Sequence, residues 1–253
     1  MISFWRPLTA LLCLYAVQTT EADTEGLSPI CLLKFGELGG YIKFFPDITP
    51  IKDVLTVCAW IKKAQTGADM SWIFYKYGDI LEYKVTVSDS GDSNYINIDY
   101  IEGQYLGVTS TVAIPLNTWV HQCQSWSLAS STVKTYSNGR LIESKSGTPP
   151  YPLNEGGYVL IGSNSETERF HGEMMKLNVF GKELSGTEIA ELYAGGRCSD
   201  VERTQDAVRF ISWESVLSQD RTGDVTDSEQ CTGMFPLSHS LITVVGIVHW
   251  LKC

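Results

Sequence analysis

The sequence predicts an all-β sandwich or barrel carrying one short helix, and three observations lead there. Short apolar runs alternate with polar residues and are broken by turn residues at regular intervals. Asn138-Gly139 sits between two such runs, the mark of a tight hairpin. A helical period stands out only in LSGTEIAELYAGG, which brings its own start and stop signals.

Taken in order, the strands are expected at Leu55 to Lys62, Trp72 to Tyr77, Leu81 to Val87, Tyr95 to Tyr100, Val120 to Trp126, Val133 to Tyr136, Arg140 to Glu143, Tyr158 to Ile161 and Met174 to Phe180. Between the third and fourth, the stretch from Asp89 to Asn94 reads as a solvated turn, because its acids lack the spacing of an EF-hand loop. Asn138 and Gly139 both tolerate positive φ, which fits a type I′ turn. In the helix, Ser185 and Glu188 form a capping box, Ile189, Leu192 and Tyr193 share a face, and Gly195-Gly196 supplies the stop. No linker or internal repeat divides residues 27–231, so one domain is expected.

The 253 residues are 43% hydrophobic, enough to fill a core. A net charge of −10 without a cluster of Lys and Arg argues against a nucleic-acid partner.

Both ends read as processing signals. Residues 1–22 have the layout of a secretory signal peptide: Arg6 near the start, an apolar run from Leu8 to Val17, then small or polar residues from Thr19 to Ala22. The tail, 232–253, carries the apolar run Leu241 to Leu251 behind the small residues Cys231, Thr232 and Gly233. It resembles a GPI-anchor signal; a short membrane anchor and a free tail are the alternatives, since Phe235 to Leu251 falls short of the ~20 residues of a spanning helix. Either way the domain is expected outside the cell, secreted or on the outer face of the plasma membrane. Export sets the chemistry of the seven cysteines. With no C-x-x-C, disulfides are favoured over zinc or redox centres. Among Cys31, Cys198 and Cys231, both Cys31–Cys231 and Cys198–Cys231 are open.

The segment HQCQSWS, with His121, Cys123, Ser125, Trp126 and Ser127, resembles the His-x-Cys-x-Ser/Thr-Trp signature of the pentraxin family. Further segments match in the family's order: LTVCAWI around Cys58, NTWVHQC, TYSNGRL, GGYVLIGS from Gly156, GEMMKLNVF from Gly172, the helix, and ISWESV from Ile211 with a terminal strand continuing to Val225. The resemblance spans about residues 27 to 231. It implies a jelly-roll sandwich of two antiparallel sheets with one helix on a face, as in lectins. It also implies a Cys58–Cys123 bridge welding facing sheets, which would close a loop of about 65 residues and contribute roughly 4 kcal/mol.

The same resemblance implies binding rather than catalysis: the family commonly forms cyclic pentamers that bind phosphate- or sugar-bearing surfaces through calcium, so a homo-oligomer taking a glycan, a phospholipid headgroup or a protein is expected, with calcium as cofactor. The matching calcium positions are Asp79, followed by Ile80 where the family has Asn; Asn164 and Glu166, with Ser165 in place of an amide; and Glu168 in a nearly deleted loop beside Arg169. Such a set is short of the six to eight oxygens calcium needs, so the expectation is a single weak site or a vestigial acidic loop.

An enzyme is not expected. NIDYIE, Asn97 to Glu102, has the outline of the Glu-x-Asp-x-x-Glu strand of glycosidases with this fold. Asn97 cannot be the carboxylate nucleophile, which leaves Asp99 and Glu102 as polar strand or turn residues. There is no G-x-S-x-G elbow. His121 reads as a structural neighbour of the bridge and His171 as a loop or strand-end residue. Trp60, Trp72, Trp119, Trp126 and Trp213 read as inter-sheet filling, and Tyr75, Tyr77, Tyr83 and Tyr105 as candidate ligand contacts near the face the family uses.

Overall fold

In the computed structural model, which describes residues 31–65, 70–90, 93–99, 110–111, 114–146, 152–163, 168–195 and 209–228, with the side chains of 88–90, 93–99 and 110–111 excluded, the chain is almost entirely antiparallel β. The expected leader and tail, Cys198, Cys231, Asn164, Glu166, Glu102 and Tyr105 lie outside the described residues. The strands are β1 (Leu33–Phe44), β2 (Val54–Lys63), β3 (Met70–Tyr77), β4 (Ile80–Ser90), β5 (Ser93–Asp99), β6 (Ser110–Thr111), β7 (Val120–Ser127), β8 (Thr132–Ser137), β9 (Arg140–Ser146), β10 (Tyr158–Ile161), β11 (Gly172–Phe180), β12 (Arg209–Ile211) and β13 (Arg221–Asp227). Two helices, α1 (Gly186–Ala194) and α2 (Trp213–Leu217), complete the described residues apart from a 3-10 turn at Thr49–Ile51.

The sheet runs β6-β5-β4-β3-β10-β1-β11-β2-β7-β8-β9, and β1 is where it doubles back. The first residues of β1 pair with β11, Leu33 opposite Met174, while its last pair with β10, Ile42 opposite Ile161. β13 follows β1 along its other edge and slips register between Phe35 and Gly40. Such an irregularity bends a strand and raises its twist. The close approach there requires glycine: Gly223 has φ +76°, and a Cβ on it would sit 2.6 Å from the Gly39 carbonyl oxygen. Those glycines also conceal β1 in the sequence, because Gly36, Gly39 and Gly40 interrupt the alternation by which strands are recognised.

The result is two layers packed face to face. One hydrophobic cluster takes Leu55, Val57 and Ile61 from β2 and Leu177 and Val179 from β11, together with Trp72, Ile73, Val85 and Val87 from the opposite layer. The jelly-roll expectation holds. The β8–β9 hairpin is the expected one, with Asn138 at φ 48° and Gly139 at φ 76°. Asn138 also extends the ladder of β7: its Oδ1 accepts from His121 N at 3.0 Å, and its N–H donates to His121 O at 2.8 Å.

The single expected helix is corrected to two. ISWESV is no continuous strand: Ser212 and Ser215 cap each other at the start of α2, which buries Trp213, Val216 and Leu217 before β13 begins. Of the tryptophans, Trp72, Trp126 and Trp213 are buried, whereas Trp60 and Trp119 are only half-buried and pack at the margin of the core.

Candidate functional site

The signature segment is β7, and its side chains are spent on architecture. Cys58 of β2 and Cys123 of β7 stand directly opposite each other on neighbouring strands and are bonded, with Cα atoms 4.1 Å apart. The bridge therefore lies within one sheet and does not join facing ones. Stacked sheets are ~10 Å apart, beyond the Cα span a disulfide can cover. Tyr136, Phe180, Leu184 and Ile189 bury it, with Leu192 of α1 packed against them. Cys31 is also disulfide-bonded.

The helix is held there by local chemistry. Ser185 and Glu188 form the expected capping box, and Lys182 pairs with Glu188 at 2.8 Å. Buried Thr56 donates to Lys182 O at 2.7 Å and accepts from Leu184 N at 3.0 Å, which fixes the chain entering α1. Cys58, His121 and Cys123 place potential metal-ligating atoms within 4.8 Å of one another, but both sulfurs are in the disulfide and no thiolate is available. His121 Nε2 lies 3.7 Å from Cys123 Sγ, and its ring sits 5.2 Å from Trp60 and 6.0 Å from Tyr193. Burial holds His121 down at a pKa of about 4, so it is neutral at physiological pH. Ser125 and Ser127 are buried, and Trp126 joins the main core.

A different surface has the character of a binding face. On the layer formed by β1, β10, β3 and β4, residues alternating with the core positions fall in two cross-strand rows. One row runs Phe45, Tyr158, Lys76, Leu81; the next runs Lys43, Leu160, Phe74, Lys84. The second row is the deeper, with Leu160, Phe74 and Lys84 buried and Lys84 paired to Glu168 at 2.7 Å. In the first row Phe45 is 71% exposed, while Tyr158, Lys76 and Leu81 are half-buried. Sequence reasoning missed Phe45 and Tyr158. The one available signal was Phe44-Phe45: neighbours on a strand point to opposite faces, so one of them had to leave the core.

The anticipated tyrosines behave differently. Tyr75 and Tyr83 point into the core. Tyr75 Oη donates to Asn154 O at 2.5 Å and accepts from Gly157 N at 3.0 Å, a structural role. Its neighbour Glu82, displaced where the β3–β4 register slips, accepts from both the backbone and the side-chain nitrogen of Asn154. Tyr77 is exposed at the end of β3.

Of the calcium positions, Asp79 and Glu168 fall among the described residues. Asp79 lies in the β3–β4 turn, whereas the segment carrying Glu168 leaves β10 at Gly162, whose N–H donates to Trp72 O. Glu168 is paired with Lys84 at 2.7 Å. Asn97 and Asp99 of β5 stand opposite Thr86 and Lys84 in register. His171 accepts its expected place before β11, its Nδ1 3.0 Å from Gln65 Oε1.

Comparison with known proteins agrees with this architecture. Residues 35–190 match the family described as the concanavalin A-like lectin/glucanases superfamily. A heptameric SAP-like pentraxin from Limulus polyphemus superposes with a TM-score of 0.66 at 17% identity, covering 82% of this chain and 100% of its own. A candidate carbohydrate binding protein from Bacteroides ovatus gives 0.60 at 15% identity over 80% of this chain and 60% of its own. A botulinum neurotoxin type C structure gives 0.51 at 16% identity over 65% and 42%. No curated protein sequence matches. With its doubled-back antiparallel sheet and a family match over more than half its length, the chain belongs to the concanavalin A-like lectin/glucanases superfamily.

Proposed function

We propose that this chain is an extracellular, non-catalytic recognition module of lectin type, either secreted or held at the outer face of the plasma membrane by its C-terminal tail. The observation that carries the reading is the cluster where β1 meets β10, in which exposed Phe45 packs against half-buried Tyr158 with Lys43 beside both rings. Binding sites commonly combine apolar surface with a few placed polar groups. The signature segment supports the same reading from the other side, since its His, Cys and Trp are absorbed by packing.

The similar structures favour a glycan as ligand class. One is a candidate carbohydrate binder, and the neurotoxin's cell entry depends on two ganglioside molecules. The pentraxin, a heptamer, supports a homo-oligomeric form. The calcium-dependent alternative draws less support, because Glu168 pairs with Lys84.

The test is to express the full chain in a secreting host and probe the exported protein on a glycan array, with calcium and with chelator. Retention of glycans in both conditions, without turnover of chromogenic glycosides, is the expected result. Absence of any retained glycan, or measurable hydrolysis, would end this reading. Release of surface protein by phosphatidylinositol-specific phospholipase separates a lipid tether from a free or spanning tail.

A further inference from the structure

We propose that Lys43, Phe45 and Tyr158 form a binding site for one acidic sugar residue, the sugar ring lying on exposed Phe45 and its anionic group meeting the lysine that covers Tyr158. The proposal rests on the lectin reading above and adds the ligand class and the point of contact.

Continuation of the β1–β10 register sets Phe45 opposite Tyr158, with ring centroids 5.7 Å apart and planes tilted by 57°. The apolar C–H face of a pyranose suits the exposed Phe45 ring, because aromatic faces are electron-rich. Lys43 Nζ stands beside both rings, 3.9 Å from the Tyr158 centroid and 4.9 Å from that of Phe45.

The charge balance selects the kind of sugar. Among the described residues no carboxylate pairs with Lys43, so its charge is met only by the rings. The nearest acids in sequence are engaged elsewhere. Asp47 accepts from Thr49 N at 3.0 Å and Thr49 Oγ1 at 2.6 Å, and Glu155 pairs with Lys52 at 2.8 Å. An uncompensated ammonium over aromatic faces repels cations, is left unused by a neutral sugar, and gives a bare anion nothing to stack. A ring bearing a carboxylate or sulfate satisfies both halves of the site.

The test uses the exported full chain with hyaluronan oligosaccharides (carboxylate only), heparin oligosaccharides (carboxylate and sulfate) and neutral chitin oligosaccharides, measured calorimetrically beside Lys43→Gln and Phe45→Ala. Both substitutions are at exposed positions, and unchanged thermal unfolding will show that the fold survives. The wild type is expected to prefer an acidic probe by about tenfold, Lys43→Gln to abolish that preference, and Phe45→Ala to weaken acidic and neutral probes alike by about tenfold. The hyaluronan and heparin arms separate carboxylate from sulfate as the anion. If glycans bind but neither variant changes the affinity, or acidic and neutral probes bind equally, this assignment is overturned while the lectin reading stands. If no glycan binds on the array or in solution, both fall together.

Discussion

Cys58 and Cys123 face each other across two neighbouring strands with their Cα atoms 4.1 Å apart, and the first turns of α1 are packed over the bond. The disulfide is thus a staple inside one sheet, and its far face is the floor of a small second core.

Replacing both cysteines, Cys58→Ala with Cys123→Ala, is expected to cost about 4 kcal/mol on the chain-entropy estimate for the sequence separation of 65 residues. Urea unfolding of wild type and variant measures it. A loss below about 1 kcal/mol would mean that the bond does not constrain the unfolded chain as argued.

Thr56→Val preserves shape but removes the hydroxyl that joins β2 to the segment entering α1. The buried Leu184 N–H and Lys182 carbonyl lose that partner, at a cost of about 1–3 kcal/mol. Amide exchange over residues 186–194 should accelerate, and unchanged protection there would assign the helix's anchorage to Lys182–Glu188 and packing alone.

Stability should depend on pH through His121. Burial holds it at about 4 in the folded protein against the ordinary 6.5 of the unfolded chain, so between these values the unfolded state binds more protons. The contribution is fully present above pH 6.5 and is lost as pH falls towards 4, with a limiting slope of about 1.4 kcal/mol per pH unit. His121→Gln should flatten the pH dependence of urea unfolding across that window. Equal slopes in the two proteins would place the acid sensitivity elsewhere.

Gly223→Ala tests the bend that lets β1 serve both layers. With φ at +76° and a Cβ position 2.6 Å from Gly39 O, alanine there should cost at least about 2 kcal/mol. Gly78→Ala, at φ +56° in open space, should cost only about 1 kcal/mol and serves as the control. Similar losses in thermal unfolding would show that backbone conformation, not the crossing of β1 with β13, sets the requirement.

Much of the fold was legible because its signals are local. Tyr158–Ile161 and the Asn138-Gly139 turn follow from alternation and turn chemistry within a few residues, and the Ser185–Glu188 box from a three-residue spacing. β1 escaped because its glycines mask the period, and α2 because Ser212 and Ser215 cap it without the usual Glu or Gln. The candidate site was hardly legible: Tyr75 and Tyr83, chosen for their chemistry, turn inward, and Phe45 and Tyr158 meet only through pairing of strands more than 100 residues apart.

By itself the sequence determined the all-β class, most of the strands, the capped helix and the family, since each is written in short-range periodicity or in an ordered set of motifs. The tertiary structure alone decided that the Cys58–Cys123 bond lies within one sheet and that Lys43 comes to rest over the rings of Phe45 and Tyr158. The physical reason is that strand partnership and register are chosen by the burial of a whole face at once, a cooperative quantity no local stretch of residues encodes.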